Sequence, residues 1–549
     1  MPVTEGPIPA PNPTSCPSPQ TGPGPARWPA AVQRAQASAA AAILGRLWGA
    51  LAREPIPGIV GREVSQGRLT VRWRDGTRVT GDAAMARPFA APPTGFAVEV
   101  ATPGARRPVE VGDPGTLVRT LAPHLGRHAA RLAAEVDNSV DNLALARATQ
   151  PEPDGGEPML TRAGHHPDPL AFLEQSVVDG HPLHPGARTR LGLSADEVRR
   201  YAPEHRPAPV GLREVAVPPE RWYGVGCPPR LWLHPWQHER LRVEYPWLST
   251  VEREIPARPL LALRTLSVVD DPRHHVKTAV DIQMTSAVRT VSPASIHNGY
   301  FLSALMTSVQ RRYPGLRMVP ELGGGAVIID GEPSRRLAMI HRRLPALAPG
   351  DVALPLAALT APSLATGAPI VLEVVGAGYR GDPLSFVEHL AGVLLRPTLG
   401  LLGLGVALEA HGQNVLGVVR GGRLVRLLYR DVGGVRVSAR RLREHGIEPP
   451  PLRGDIPSDD PEVLRTKVVA SAVSTLLGEV IAVLARHGGL DADRAWRRVA
   501  EVVRTLDIPD TRHLFADTLP IKAMTAMRLA DDATADLWCS GPNPMAGLG

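Results

Sequence analysis

The sequence predicts an α+β fold in which helices alternate with β-hairpins. Apolar residues recur at helical spacing in long segments such as 31–52 and 384–403. Alternating segments flank hairpin signals at Asp75-Gly76, Asp330-Gly331 and Gly421-Gly422. No motif returns at a fixed period, which argues against solenoids and propellers.

At 549 residues the chain exceeds the roughly 250–300 residues of a single hydrophobic core, so two or three domains are expected. Residues 1–27 are rich in Pro and Gly and are predicted to form a disordered tail. A polar stretch at 148–158 reads as a linker and places a boundary near residue 160. The predicted domains are 28–160, 161–369 and 370–549.

The N-terminal domain is predicted to contain a helix at 31–52, a type I′ hairpin over 67–81 and a helix at 115–147. The middle domain should have a strand and loop over 277–296, a helix at 297–313 and a hairpin within 321–333. A low-complexity loop is expected around 344–368. For the last domain we expect a strand at 370–375, a helix at 384–403, the Gly421-Gly422 hairpin, and helices at 461–487 and 492–505.

Composition excludes several kinds of protein. Cys16, Cys227 and Cys539 are too few for a disulfide framework, a four-thiolate zinc site or an all-cysteine iron–sulfur cluster, and they indicate a reducing, cytoplasmic setting. The net charge of +7 is diffuse, so no nucleic-acid partner is expected. The apolar stretch 390–410 contains Arg396 and Pro397, so no membrane helix is predicted there.

Lysine is rare in this chain. Of the 61 basic residues only Lys277, Lys467 and Lys522 are lysines. A lysine kept against such a bias indicates a need for a compact, rotatable ammonium rather than a planar guanidinium. Lys277 and Lys522 both fall in the motifs described below.

The first motif is Gly-His-Pro-Leu-His-Pro at 180–185, followed by Arg188 and Arg190. Its prolines stiffen a backbone that presents His181 and His184, and such a surface suits an anionic ligand. The alternatives are a histidine pair that caps a turn, or a metal site that would need a third ligand. A second motif, Leu-His-Pro-Trp-Gln at 233–237, could line a pocket or belong to the core.

Hydroxyl groups and positive charges are concentrated in segment 277–298. Donors and cations that converge on one turn are what a polyphosphate requires, and a helix N-terminus after residue 297 would add a favourable partial charge. The alternative is an ordinary Ser/Thr-rich loop. The candidate residues are Lys277, Thr285, Ser286, Arg289, His297 and Asn298.

The fourth motif joins Glu-Ala-His-Gly-Gln-Asn at 409–414 to Tyr-Arg-Asp-Val-Gly-Gly at 429–434 through the Gly421-Gly422 hairpin. The hairpin should return Arg430 and Asp431 beside the first segment. Carboxylates and amides gathered there suit Mg²⁺ and nucleotide oxygens, and a buried structural network is the alternative.

The sequence lacks a Walker A motif, so bound ATP would need another fold. Gly376, Gly378 and Gly381 follow the apolar segment 370–375 and match the dinucleotide fingerprint, which keeps a nicotinamide-dependent oxidoreductase as a minor alternative. Asp382-Pro383 and the early position of Glu388 weigh against it.

In this order and spacing the motifs resemble the siderophore synthetases that work independently of nonribosomal peptide synthetases, the aerobactin synthetase (IucA/IucC) family. Supporting pieces lie at 135–142, 201–204 and 520–529. The resemblance implies a cupped hand whose thumb, fingers and palm are the three predicted domains around a central cleft. It also implies a homodimer and a two-step reaction through an acyl adenylate.

The resemblance implies an ATP- and Mg²⁺-dependent ligase that joins a carboxylate, such as citrate, a citryl or succinyl derivative or 2-oxoglutarate, to an amine or alcohol. The implied catalytic residues are Lys277, Arg289, His411 and Arg430. The implied ATP ligands are Thr285, Ser286, Arg289, His297, Asn298, Gln413 and Asn414. The implied substrate ligands are His181, His184, Arg188, Arg190 and Lys522. Glu409 and Asp431 are the expected Mg²⁺ ligands.

The sequence departs from the family's pattern at Arg188, and other functions are also considered. Arg188 stands where the family commonly has Lys, which puts the substrate class in doubt. A catalytically silent ferric-siderophore or nucleotide binder of the same fold is the main alternative function. The C-terminal part is also related to ferric-siderophore reductases, but Cys539 alone cannot hold their iron–sulfur cluster.

Overall fold

The computed structural model describes residues 30–285, 287–532 and 535–549. Within these residues helices and mixed sheets alternate, so the predicted α+β class is confirmed. The predicted disordered tail, Cys16 and Ser286 lie outside the described residues.

The N-terminal helix α1 (Ala30–Arg53) packs against α4, which follows a five-stranded antiparallel sheet of order β1-β2-β3-β4-β5. Its strands are β1 (Ile59–Ser65), β2 (Arg68–Trp73), β3 (Arg78–Asp82), β4 (Val98–Ala101) and β5 (Val109–Val111). The predicted helix at 115–147 is three helices, α2 (Pro114–Thr120), α3 (Ala122–Leu125) and α4 (Ala129–Ala148). The hairpin between β2 and β3 is confirmed, but Gly76 has a positive φ and Asp75 does not, so its turn is not type I′.

The middle of the chain forms an eight-stranded antiparallel sheet of order β8-β16-β17-β12-β11-β10-β7-β9 and a small sheet β14-β13-β6. Its helices are α5 (Met159–His165), α6 (Pro169–Glu174), α7 (Ala195–Tyr201), α8 (Pro235–Glu244) and α9 (Pro293–Val309). The strands up to residue 284 are β6 (Arg190–Leu191), β7 (Val210–Ala216), β8 (Trp222–Val225), β9 (Arg230–Leu233), β10 (Arg253–Pro259), β11 (Thr265–Val268), β12 (Asp271–Thr278) and β13 (Val280–Met284). The next strands are β14 (Ala287–Arg289), β15 (Leu316–Met318), β16 (Glu321–Ile329), β17 (Glu332–Arg343) and β18 (Asp351–Pro355).

The C-terminal part surrounds a four-stranded sheet, β15-β21-β20-β18, in which β15 and β21 are parallel. Its helices are α10 (Ile370–Gly378), α11 (Pro383–Leu404), α12 (Ala439–Glu444), α13 (Pro461–Val468), α14 (Gly478–His487), α15 (Ala492–Arg504) and α16 (Met524–Leu529). Its strands are β19 (Val406–Ala407), β20 (Val415–Arg420), β21 (Arg423–Tyr429), β22 (Arg436–Val437), β23 (Thr518–Lys522) and β24 (Trp538–Pro542). A π-helical stretch, Val469–Leu477, joins α13 to α14.

The predicted strand at 370–375 is wrong, because these residues begin helix α10. Its buried side chains, Ile370, Val371, Val374 and Val375, recur at helical spacing, which a short apolar run conceals. The dinucleotide fingerprint requires a strand before its glycines. The structure therefore removes the basis for a nicotinamide-dependent enzyme.

Two further boundaries differ from the prediction. The expected loop at 344–368 contains β18, which pairs with β20 and so ties the middle domain to the C-terminal sheet. Helix α9 begins at Pro293, where the Ser292 hydroxyl accepts a hydrogen bond from the amide of Ser295. His297 therefore lies in the second turn of α9 and not at its N-terminus.

Two helical segments, Pro383–Leu404 and Pro461–His487, are long and apolar enough to cross a membrane. Most of each is buried inside the protein, as in a core helix. The two largest hydrophobic cores also cross the predicted domain boundaries, since one combines α1 and α4 with strands of the eight-stranded sheet. The domain boundaries stay predictions.

Candidate active site

Lys277, at the end of β12, lies opposite Asp431, which follows β21. The Lys277 Nζ is 3.0 and 2.9 Å from the two Asp431 carboxylate oxygens. Arg342 of β17, the strand beside β12, is 3.1 Å from Asp431 Oδ2 and 2.7 Å from Glu321 Oε1. The eight-stranded sheet and the β20–β21 hairpin thus meet at one buried ion network.

The charges in this network are strongly coupled. Burial raises the pKa of Asp431, but Lys277 and Arg342 outweigh burial and hold that pKa well below its usual range. Burial lowers the pKa of Lys277 to about 8, although the nearby Asp431 opposes this shift. Asp431 is therefore a carboxylate at neutral pH, and Lys277 is poised close to its titration point.

The predicted phosphate loop lies beside this network. Arg289 donates from Nε to the Met284 carbonyl at 3.2 Å and from Nη2 to the Thr285 hydroxyl at 2.5 Å. Thr285 has a φ of +55°, a left-handed conformation that is unusual for a β-branched residue. Arg264 donates to the carbonyls of Arg289 and Thr290 and so holds the far end of the turn. Strain of this kind is typical of functional sites.

Positive charge exceeds negative charge around this loop. Two carboxylates, Asp431 and Glu321, face four cations, Lys277, Arg264, Arg289 and Arg342. In the part of the chain that the structure describes, Arg264 and Arg289 donate only to backbone and hydroxyl oxygens and have no ion pair. Burial lowers the pKa of both guanidiniums. The site is short of negative charge and suits a polyanion.

The predicted return of the β20–β21 hairpin is confirmed. Arg430 donates from Nε and Nη2 to the Gln413 carbonyl at 3.1 and 3.0 Å, and its amide donates to the Asn414 carbonyl. Its Nη1 pairs with Glu174 at 2.6 Å, and both side chains are buried. Arg430 therefore holds the 409–414 segment in place, because its hydrogen-bonding groups are already engaged.

Gly412 lies where the backbone of Ala357 leaves no room for a side chain. The amide of Ala357 donates to the Gly412 carbonyl at 3.0 Å, and a Cβ at 412 would lie 2.8 Å from that nitrogen. Asn414 donates from Nδ2 to the Glu409 carbonyl at 3.2 Å. These contacts hold the backbone of the segment in place and so set the directions of the Glu409 and His411 side chains.

Glu409 faces a second group of charges. Its Oε1 lies 3.4 Å from the Nζ of Lys522 and 3.6 Å from that of Lys467. Its Oε2 lies against the Gly434 backbone, where an added Cβ would be only 1.9 Å away. Burial raises the pKa of Glu409, but the two lysines outweigh burial and lower it. All three lysines of the chain thus lie in this site.

His181, His184 and His411 are neutral at physiological pH. Burial lowers the pKa of His181 to about 3, and it likewise lowers the pKa of His184 and His411. In His181 and His411 the Nδ1 atom accepts a backbone N–H, which leaves the proton on Nε2. These two imidazoles can donate a hydrogen bond to an anion, so the anionic ligand expected from the sequence would meet neutral donors here.

Arg188 and Arg190 are buried beneath the His-Pro loop. Arg188 donates to the carbonyls of Val177 and Val178, and both guanidiniums pair with the fully buried Glu204, at 3.3 and 3.2 Å. Helix α4 supports the same loop, since Ser139 accepts a hydrogen bond from the Arg188 amide. The structure therefore favours a supporting role for both arginines over contact with a substrate.

His297 and Asn298 hold a neighbouring loop. The His297 Nε2 contacts the Pro451 carbonyl at 2.6 Å, and Asn298 exchanges two hydrogen bonds with the backbone of Arg453. Their expected contact with a triphosphate stays a prediction. Gln237 of the 233–237 motif is also structural, because it accepts a hydrogen bond from the Asp281 amide in β13 and donates to the Arg336 carbonyl.

The predicted Mg²⁺ ligands belong to one site but are engaged differently. Both oxygens of Asp431 are held by Lys277 and Arg342, whereas Glu409 makes only the longer contacts with lysines. Among the described residues no group of three or more His, Cys, Asp or Glu side chains is arranged to hold a metal. A metal here would need oxygens from a ligand.

Sequence reasoning missed several members of the site. Arg264, Arg342 and Glu321 lie in strands or loops without a motif, and no local signal marks them. Lys467 carried a signal, because it is one of only three lysines in an arginine-rich chain. Asp536, which pairs with Lys467 and Lys522, follows no recognisable pattern.

Comparison with known proteins agrees with this architecture. The IucA/IucC family model matches residues 169–224 and 230–361, and a model described as a ferric iron reductase FhuF-like transporter matches residues 384–537. Staphyloferrin A synthase of Staphylococcus aureus is 26% identical over 438 residues, which cover 69% of this chain and 73% of that protein. D-ornithine–citrate ligase of the same organism is 23% identical, with 74% of this chain and 75% of that protein covered.

Solved structures share the fold. The petrobactin biosynthesis protein AsbB of Bacillus anthracis superposes with a TM-score of 0.76 and 19% identity, covering 94% of this chain and 96% of that one. ATP-bound aerobactin synthetase IucA of Klebsiella pneumoniae gives a TM-score of 0.73 and 18% identity, covering 93% and 99%. The sequence and fold comparisons together support a place for the chain in the IucA/IucC family of siderophore synthetases, which work independently of nonribosomal peptide synthetases.

Proposed function

We propose that the protein is an ATP-dependent ligase that adenylates a carboxylate and condenses the acyl adenylate with an amine, a hydroxylamine-bearing amine or an alcohol. The surplus of buried cations around Arg289 carries this proposal. Adenylation brings a carboxylate against a triphosphate, so fixed positive charge must offset two anions in one place. Similarity to staphyloferrin A synthase and to D-ornithine–citrate ligase supports a ligase in siderophore synthesis.

The first step joins a carboxylate oxygen to the α-phosphorus of ATP and expels pyrophosphate. Arg289 and Lys277 are placed to stabilise charge on the phosphate oxygens, and Arg264 keeps the Arg289 turn in position. His181 and His411, whose Nδ1 atoms accept backbone N–H groups, would each have a neutral Nε2–H with which to donate to an anion. In the second step the nucleophile attacks the acyl carbon, and AMP leaves.

Mg²⁺ is the proposed metal cofactor. Mg²⁺ prefers one or two carboxylates together with phosphate oxygens and water. Glu409 fits this requirement, because its contacts with Lys467 and Lys522 are long and involve Oε1 alone. Asp431 stays the second proposed ligand, although Lys277 and Arg342 hold it in this structure. Bound Mg²⁺ would offset negative charge on the polyphosphate.

A panel of acids with ATP and Mg²⁺ tests the proposal. Citrate, succinate, succinylated diamines and 2-oxoglutarate are each mixed with hydroxylamine as a surrogate nucleophile, and hydroxamate is measured. We expect at least one acid to give hydroxamate together with pyrophosphate. ATP binding without turnover on any acid would instead favour a silent nucleotide or ferric-siderophore binder. We also propose that the protein is cytoplasmic and forms a homodimer.

A further inference from the structure

A second ion cluster lies beside Glu409. Asp536 bridges two ammonium groups, with Oδ1 2.7 Å from Lys522 Nζ and Oδ2 2.7 Å from Lys467 Nζ. Both Nζ atoms lie over the Trp538 ring, at 5.7 and 5.6 Å from its centroid. One carboxylate therefore occupies a position defined by two lysines and an aromatic face.

The local fold aims Lys467 into this position. Lys467 stands near the end of α13, just before the π-helical stretch, and π-helical turns are frequent at functional sites. The Ser471 hydroxyl donates to the Lys467 carbonyl at 2.7 Å and accepts from the Ala410 amide at 2.9 Å. This bridge fixes the Lys467 turn against the segment that carries Glu409, and the Lys467 residue is only 3% exposed.

Asp536 is the replaceable member of the cluster. Its side chain is 23% exposed, and Arg436 lies 3.7 Å from its Oδ2, so a second cation is within reach of a displaced Asp536 carboxylate. Glu409 cannot take its place unaided, because its Oε1 is 3.4 Å or more from both ammonium groups. If another carboxylate replaced Asp536, both Lys467 and Lys522 would still have a carboxylate partner.

We propose that Lys467 and Lys522 form a seat for a carboxylate of the acid substrate, and that Asp536 occupies this seat when no acid is bound. Lys467 is then a further substrate-contacting residue, and Asp536 is an internal competitor that sets the affinity for the acid. This inference rests on the proposed function only in taking an acid as the substrate.

Calorimetric titration of the full chain with citrate as the probe tests the seat. Replacing Lys467 with Met should weaken citrate binding by about 10- to 100-fold, because a charged hydrogen bond is lost. Lys467→Arg keeps the charge and should lie between that variant and the wild type. Asp536→Asn should strengthen citrate binding by about fivefold, because it removes the competitor.

The sign of the Asp536→Asn effect separates the seat from a structural cluster. A cluster that only cross-links α13 to β23 and β24 predicts weaker or unchanged citrate binding in this variant, and that result would overturn the inference. Thermal melting checks that each variant is folded. ATP titrations and hydroxamate formation are run in parallel, so loss of the proposed ligase activity is scored separately from loss of the citrate effect.

Discussion

At the scale of single residues, two conformations mark the site. Thr285 and Asp431 are two of the seven described non-glycine residues with positive φ, at +55° and +67°. Each lies where a backbone turn presents a charged or hydroxyl group to the cleft. The cost of such a conformation is about 1–3 kcal/mol, so the surrounding ion network must hold both residues in place.

The pKa of Lys277 gives a prediction at this scale. Because burial lowers that pKa to about 8, the ammonium is lost as the pH rises above this value, and Asp431 then loses one partner. We expect kcat/KM for ATP to fall above about pH 8. In Lys277→Arg the profile should stay flat to higher pH, since a guanidinium keeps its proton. An identical fall in the variant would show that another group is responsible.

At the scale of elements, hairpins were predictable and short apolar runs were not. Gly421-Gly422 and Asp330-Gly331 each combine positive φ with flanking alternation, and both hairpins formed as expected. The prediction for segment 370–375 was wrong because its five apolar residues suit a strand or a buried helix equally well. The start of α9 was missed because the Ser292-Pro293 cap precedes its apolar residues.

The Asp-Val-Gly-Gly turn after β21 gives a prediction with a matched control. A Cβ at Gly434 would lie 1.9 Å from Glu409 Oε2, whereas one at Gly433 would lie 3.4 Å from Asp431 Oδ1. We expect Gly434→Ala to displace Glu409 and lower the rate of hydroxamate formation by about tenfold or more. Gly433→Ala should stay close to the wild type. Equal activity in both variants would remove Glu409 from the site.

The His-Pro loop gives a prediction about stability. Burial raises the pKa of Glu204, but Arg188 and Arg190 outweigh it and lower the pKa from 4.5 to about 2. Because this pKa is lowered, the Glu204 carboxylate stabilises the folded state above about pH 4.5, and this stabilisation is lost as the pH falls toward 2. Its size is about 3 kcal/mol.

Glu204→Gln lacks this contribution and leaves two buried arginines without a charged partner. We expect a lower Tm than the wild type at neutral pH and convergence of the two Tm values in acid. Melting curves from pH 7 to pH 3 measure the difference. A constant difference across that range would contradict the assigned pKa.

At the scale of the whole molecule, the site is built from segments that are far apart in the chain. Lys277 and Asp431 are 154 positions apart, and Glu174 and Arg430 are 256 apart. The motifs identified Lys277, Arg289, Glu409 and Asp431 as one set. They could not predict which carboxylate pairs with which cation, because that depends on how two sheets pack.

Because all three lysines lie in the site, bound substrates should protect them from chemical modification. An amine-reactive reagent should reach Lys522 first, since its side chain is 23% exposed while those of Lys277 and Lys467 are 10% and 4% exposed. We expect ATP with citrate to slow modification of Lys522 and to preserve activity in parallel. Mass spectrometry of digested protein measures each lysine, with urea-unfolded protein as the control. Modification of Lys522 without loss of activity would exclude it from the site.

The identity of the cleaved phosphate bond tests the central claim most directly. With ATP, Mg²⁺ and an accepted acid, we expect acid-dependent release of AMP and pyrophosphate and exchange of labelled pyrophosphate into ATP. Arg289→Ala should lower both by roughly a hundredfold or more, while Arg311→Ala, an exposed arginine, should leave them unchanged. Release of ADP and phosphate, or an Arg289→Ala variant as active as the wild type, would contradict adenylation at this site.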